Sequence, residues 1–503
     1  MEKLERKVTD DHVEYAENYE KLCPPHSTFK YERSPREKRL LLKQDLAIVP
    51  LLAGCFFFAY LETVQDRTQI GNARVMGLEV GLHISSSQYF NCLMMFFVGY
   101  MVFELPAALT LQRIPAPLVF GTSVVLFGVA ACCIAASHSY APVMVLRVLT
   151  GAFEAVVQTG NLYLAQWYYP NEVGTRAAFF YLPAPIAGAV GGLISYGVDR
   201  HLDGSQGISS WRWLFIVEGV PTIFWGLLVL VFLPKFPEAV AKHGSWIFRE
   251  EEERDMILQR TKTARNVPGS SLKVAQIWLA IKDPKSWLQA MAVAAVCLNV
   301  AAFGVFLPTF INLFGFSPLM TQLYTIIPYA FGIITLPIGN ILADHFDKKG
   351  VPTLICLFIC LIGYIMLLTS TTKAVLIVGC SFVAAGAYPA VVLSSAWVLI
   401  SHAGFTKRAT AWAIAQIFIQ CYSIISTQVY VDPPRFFEGH GTLLGLNALG
   451  VVGVVITMWM FSHENKRRDA VAAEFAARGE LNPDSAKDYE ELCDAHPDFR
   501  YTL

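Results

Sequence analysis

From about residue 45 the chain alternates between apolar blocks and short polar breaks. Each block is about 20 residues long, enough for a helix to cross roughly 30 Å of hydrocarbon. Inside a bilayer the helix is the natural solution, because it bonds its own backbone groups. The pattern predicts twelve spans, at 45–66, 88–112, 117–137, 140–166, 176–199, 213–233, 286–312, 320–342, 352–371, 374–400, 407–430 and 441–462. Turn signals such as Ile114-Pro115-Ala116-Pro117 and Asp432-Pro433-Pro434 separate them. The expected fold is an all-α membrane protein, with twelve transmembrane helices in two pseudo-symmetric six-helix bundles. The expected domains are a tail 1–44, a bundle 45–233, a linker 234–285, a second bundle 286–462 and a tail 463–503. Within the linker, Arg249-Glu250-Glu251-Glu252-Glu253-Arg254 followed by Met256, Ile257 and Leu258 reads as a short amphipathic helix.

A repeat crosses the midpoint. Gly151-Ala152-Phe153-Glu154-Ala155-Val156-Val157 in the fourth span matches Gly386-Ala387-Tyr388-Pro389-Ala390-Val391-Val392 in the tenth. Leu105-Pro106-Ala107 in the second span matches Leu336-Pro337-Ile338 in the eighth. Two matches at corresponding positions imply homologous halves, a design that flanks a midplane cavity in transporters.

Composition agrees. Only 16% of the 503 residues are charged, against about 25% in soluble proteins, and mean hydropathy is +0.44. No apolar leader precedes residue 45, so no cleaved signal is expected. Lys and Arg concentrate on one set of loops, among them Arg113, Arg176, Lys348, Lys349, Lys407 and Arg408, and in the 234–285 linker and the last tail. The positive-inside rule therefore predicts cytoplasmic termini. The eleven cysteines show no Cys-x-x-Cys and no paired Cys/His spacing, so no metal or cofactor is expected. No nucleophile–base constellation suggests an enzyme, and nothing points to nucleic acid.

Ionisable residues within spans are costly, and so are functional candidates. Arg147 and Glu154 share the fourth span, seven residues or about two turns apart; the repeat places Phe382 and Pro389 there in the other half. Glu62, Asp66 and Arg67 lie at the far end of the first span, as site groups or as a solvated helix end. Glu104, beside Pro106, is expected to satisfy backbone groups that the proline frees. Asp344 with Lys348-Lys349, and Arg176, read as charged gating groups at helix ends. Asn299, Tyr324, Tyr329, Trp397, Gln416 and Gln420 are polar or aromatic groups available to complete a cavity.

At these residues the chain resembles the major facilitator superfamily. Gly339–Gly350 is similar to its acidic-basic loop signature, and Leu146-Arg147 with Gly151 to its fourth-span arginine motif. A closer resemblance is to the anion:cation symporter family, in its fungal allantoate permease branch. It is carried by Asp66-Arg67-Thr68-Gln69-Ile70-Gly71-Asn72-Ala73-Arg74, Gln88-Tyr89, Phe103-Glu104-Leu105-Pro106, Gly151-x-x-Glu154-Ala155 and Trp211–Gly219. The resemblance implies that Arg67 and Arg147 contact a substrate anion, and that Asp66 and Glu154 carry protons; Glu62, one turn earlier, competes with Asp66. The candidate set is then Arg67, Arg147, Tyr324, Trp397 and Gln420 for substrate, Asp66, Glu154 and Glu62 for protons, and Asp344, Lys348, Arg176 and Glu104 for gating.

The expected function is secondary active transport, as proton-coupled symport of a small organic anion by alternating access. The expected partners are the lipid bilayer, a small-molecule anion and a proton. The chain is expected to act as a monomer, in the plasma membrane. The alternatives are an exporter of a fungal metabolite or toxicant, and a nutrient receptor with little transport.

Overall fold

A computed structural model describes residues 34–68, 78–111, 113–263, 273–316, 318–430, 436–478, 482–487 and 489–503. Its long helices are α1 (Pro35–Thr68), α2 (Ser86–Thr110), α3 (Ala116–Ala135), α4 (Tyr140–Gln158, continued as Gly160–Trp167), α5 (Pro170–Tyr181, continued as Pro183–Leu202) and α6 (Ser210–Phe232). After the linker come α7 (Pro284–Leu313), α8 (Pro318–His345), α9 (Gly350–Thr369), α10 (Lys373–Ile400), α11 (Phe405–Gln428) and α12 (Phe437–Arg478). Among the described residues, ten helices are long and apolar enough to cross a membrane, and Met94–Thr110 of α2 is a shorter apolar stretch. The chain is an all-helical membrane protein. The break in α5 falls at Leu182-Pro183, where proline removes a backbone donor. The linker helix spans Glu251–Thr263, close to its expected place.

Contacts divide the chain into Met1–Lys43 and Gln44–Leu503. In the first unit, Ser34 Oγ accepts from the Glu37 N–H at 3.1 Å, closing the first turn of α1. All that follows concerns the second.

The two halves repeat their packing. α2 lies on α4 as α8 lies on α10, and α3 on α6 as α9 on α12. The glycines matched in the sequence repeat permit it. A Cβ on Gly151 would stand 2.0 Å from the Phe96 carbonyl oxygen, and one on Gly386 would stand 2.3 Å from that of Cys356. Across the seam between halves, α2 meets α11 and α5 meets α8. In the second half a buried amide pair joins α7 to α12: Asn299 Nδ2 donates to Asn447 Oδ1 at 2.8 Å, and Asn447 Nδ2 to Asn299 Oδ1 at 2.5 Å. Tyr364 of α9 donates to the same Asn299 oxygen at 2.9 Å.

Loops 168–169, 346–349 and 401–404 mark one end of the bundle, called here the basic face. Residues 489–503 fold onto this face of the second half. Asp494, buried, pairs with Lys407 of α11 and accepts from the Tyr501 hydroxyl at 2.8 Å. Lys407 also reaches Asp283 at 2.9 Å. Tyr501 stacks on Phe461 of α12 at 4.3 Å between centroids. His402 Nδ1 faces the Val398 carbonyl at 2.9 Å, so that nitrogen carries the proton, and burial holds the ring's pKa below its ordinary value.

Burial alone would raise the Asp494 carboxyl, but Lys407 above all, then His402 and Lys285, hold it below the usual carboxylate value. A depressed folded pKa gives stability that is complete above the ordinary carboxylate value of about 3.9, and lost as pH falls through the lower folded one. Docking of this segment is therefore expected to persist at pH 4–7 and fail at stronger acidity. Asp494→Asn is expected to release it at pH 7, read as faster tryptic cleavage at the exposed Lys487. Equal cleavage rates for both forms would contradict the account.

Candidate functional site

A cavity of about 110 Å³ lies between the halves. The first half contributes Phe56 and Tyr60 from α1, Tyr100 from α2, Glu154 and Gln158 from α4, and Tyr181 and Ala184 from α5. The second contributes Cys297, Val300 and Ala301 from α7, Leu336 from α8, Tyr388, Val391, Val392 and Ser395 from α10, and Gln416, Ile419, Gln420 and Ser423 from α11. The volume is well below the roughly 300 Å³ at which drug-sized sites begin. Four tyrosines, three glutamines and two serines offer hydrogen bonds to a compact ligand. Glu154 is the ionisable carboxyl of the described wall, and that wall holds no lysine, arginine or histidine. Glu154 and Gln158 are one turn apart on α4, so both face inward. Tyr181 is fixed from below: its hydroxyl accepts from Asn161 Nδ2 at 2.6 Å and donates to Gln158 Oε1 at 3.2 Å.

The structure brings some expected residues together and separates others. Glu154, Gln416 and Gln420 line the cavity. Arg147, two turns up α4 from Glu154, does not. It is buried with its guanidinium carbon 5.6 Å from the Phe215 ring centroid of α6, beside a cluster that includes Val143 and Trp211. Trp397 lies in the core of the second half, where its Nε1–H donates to the Thr502 carbonyl at 2.8 Å. Tyr324 is half-buried against Phe316, with centroids 4.6 Å apart, and is absent from the cavity wall. Asn299 serves the amide pair. The side chains of Glu62, Asp66 and Arg67 lie outside the described residues. Glu104 is fully buried and neither carboxyl oxygen makes a hydrogen bond, so it does not satisfy the backbone at Pro106.

Towards the basic face the cavity is closed by an ionic clasp. Asp344, at the end of α8, reaches across the seam: its Oδ2 accepts from the Thr175 N–H at 2.5 Å and the Thr175 hydroxyl at 2.6 Å. Its Oδ1 pairs with the ammonium of Lys349, which has 0% side-chain exposure. Lys348 is exposed, so the clasp uses the second lysine of the pair. Gly174 leaves room for the clasp, because a Cβ there would press on the Asp344 carboxylate and the Lys349 ammonium. Arg176 stays within its own half, holding Asp45 of α1 through two bonds of 3.0 and 2.8 Å. Sequence reasoning missed the buried pair Arg260–Glu172 at 2.6 Å, which fastens the linker helix to the start of α5. It also missed Arg212, whose guanidinium donates to the Ala135 and Ser137 carbonyls at 2.8 and 3.0 Å and so caps α3. Both partners lie far away in sequence, and no local pattern joins them.

Two matched helical halves around a polar cavity, clasped at one end, define an alternating-access solute carrier. The chain belongs to the Major Facilitator Superfamily, whose model matches residues 46–427. It is 30% identical over 474 residues to a high-affinity nicotinic acid transporter of Saccharomyces cerevisiae, covering 93% of this chain and 85% of that one. It is 31% identical over 483 residues to the MFS-type transporter cnsO of Penicillium expansum, covering 93% and 90%. Among solved structures, the proton:xylose symporter XylE bound to 6-bromo-6-deoxy-D-glucose superposes with a TM-score of 0.64 at 14% identity, covering 83% of this chain and 96% of that one. The chain is thus a membrane transporter and not an enzyme.

Removing one partner of a buried ion pair costs about 3–5 kcal/mol, whereas replacing both with apolar groups is often neutral. Asp344→Ala is expected to lower the melting temperature of the purified carrier and to raise labelling of Cys297 in the cavity from the basic face. Adding Lys349→Met should restore much of the thermal stability while the labelling stays high. A double variant no more stable than Asp344→Ala would show that Lys349 was not the strained group.

Proposed function

We propose that the chain imports a small organic anion together with a proton, as a member of the anion:cation symporter family in its fungal allantoate permease branch. The observation that carries this reading is the place of Glu154, a carboxyl on the wall of the cavity between the halves. Two negative charges about 5 Å apart at an effective dielectric of about 20 repel by roughly 3 kcal/mol. Protonation of Glu154 removes that repulsion, which would link entry of a carboxylate to entry of a proton. The relative whose name records nicotinic acid as its cargo supports a monocarboxylate of about this size. Tyrosine rings and glutamine amides suit a flat heteroaromatic acid, by stacking and by amide hydrogen bonds.

On this reading Arg147 and Arg67 meet the anion when the cavity opens away from the basic face, and Asp66 or Glu62 serves beside Glu154. Asp344 and Lys349 hold the basic face shut while Arg176 steadies α5 against α1, with that face and both termini in the cytoplasm of a plasma-membrane monomer.

The absence of a cation from the described cavity wall favours a second reading, in which the cargo is an uncharged metabolite. One assay separates the two. Proteoliposomes are loaded with buffer, and uptake of labelled nicotinate and related carboxylates is followed with and without an inward proton gradient. The symport reading expects gradient-driven accumulation in the wild type. For Glu154→Gln it expects exchange without accumulation, because that side chain is fixed in the neutral form. Uptake indifferent to the gradient would overturn the coupling, and transport of neutral analogues alone would favour the second reading.

A further inference from the structure

Glu104 of α2 has no place in the mechanism above. It lies one turn beyond Tyr100, which lines the cavity, and one turn before Ala108, which packs with Cys297, Leu399 and Trp412 of the other half. Residues four apart share a helix face, so Glu104 points into the seam between halves, on the basic-face side of the cavity. There it is 0% exposed, and both oxygens lack a hydrogen-bond partner. Tyr181 of α5 stands near it, and one turn on, Ala108 packs in a cluster with Leu162 of α4, Cys297 of α7 and Trp412 of α11. An ionised carboxylate in such a place would lose its hydration with nothing in return.

We infer that Glu104 is a second proton-binding residue of the transport cycle, coupled to the gate: it enters the closed seam only as the neutral acid and gives its proton to water when the halves part at the basic face. Opening then converts one buried –COOH into a hydrated –COO⁻ and one released proton. Closing takes one proton back. The site is separate from Glu154 and does not depend on the substrate reading. It requires only that the seam opens and closes, as in any alternating-access carrier. Its consequence is that acidity on the basic face holds that face shut.

One released proton makes the closed-to-open ratio change by up to tenfold per pH unit. The test uses the full chain in nanodiscs, with spin labels at the exposed positions 113 and 348, on opposite sides of the seam. Their distance distribution is recorded from pH 5 to 9. The labelled wild-type background is expected to shift from the short to the long distance as pH rises. Glu104→Gln, a neutral mimic of the acid, is expected to favour the short distance and to lose one proton's worth of that slope. An unchanged slope in Glu104→Gln overturns the inference. Should that variant not fold, labelling with dicyclohexylcarbodiimide, which attacks protonated buried carboxyls, decides on the wild type. Modification mapped to Glu104 that falls with rising pH supports the assignment, and no modification at any pH overturns it. Loss of gradient-driven uptake in the wild type would remove the symport reading and leave this result standing.

Discussion

Asp344 is the interaction on which the sealed form of the molecule depends. One carboxylate serves both halves, receiving the amide and hydroxyl of Thr175 across the seam on one oxygen and the Lys349 ammonium on the other. Lys349 is fixed in turn, since its backbone N–H donates to the Leu503 carbonyl at 2.9 Å. The acceptor therefore arrives at the seam already oriented. A preorganised carboxylate loses little freedom on binding, so contacts with a single residue of the opposite half can close one end of a long cleft.

The cavity and the clasp obey opposite electrostatic rules. At the clasp, and around Asp494, buried acids are matched by lysines and the sum of charge is near zero. In the cavity wall, Glu154 is the ionisable carboxyl of the described lining. The matched charges favour one geometry. An acid on the wall of a cavity that opens and closes meets different surroundings in each state, so its protonation can bias the choice between them.

Much of this was legible in the sequence because the bilayer imposes a length and a polarity on each helix. The spans, the halves and the Gly151/Gly386 repeat follow from pattern alone, and Glu154, Gln416 and Gln420 are where an inward-facing polar residue should be. The residues that stand off the described cavity wall share a common cause. Trp397 and Tyr324 are amphipathic rings whose sequence neighbourhood cannot say which helix face meets the cavity. Arg147 shares a face with Glu154 but stands two turns higher, beyond the described cavity wall. Lys348 and Lys349 are adjacent, and only the turn after α8 decides which one points at Asp344.

The Asn299–Asn447 pair carries a mechanical consequence. Its amides bond each other face to face across α7 and α12, and Tyr364 adds α9 to the knot. A hydrocarbon surrounding offers no replacement for such bonds, so sliding any of these helices past its neighbour would strand polar groups in oil. The second half must swing as one stiff lever. Deformation is left to the seam, where the Asp344 clasp can part, and to the proline-broken α5, the compliant side of the hinge.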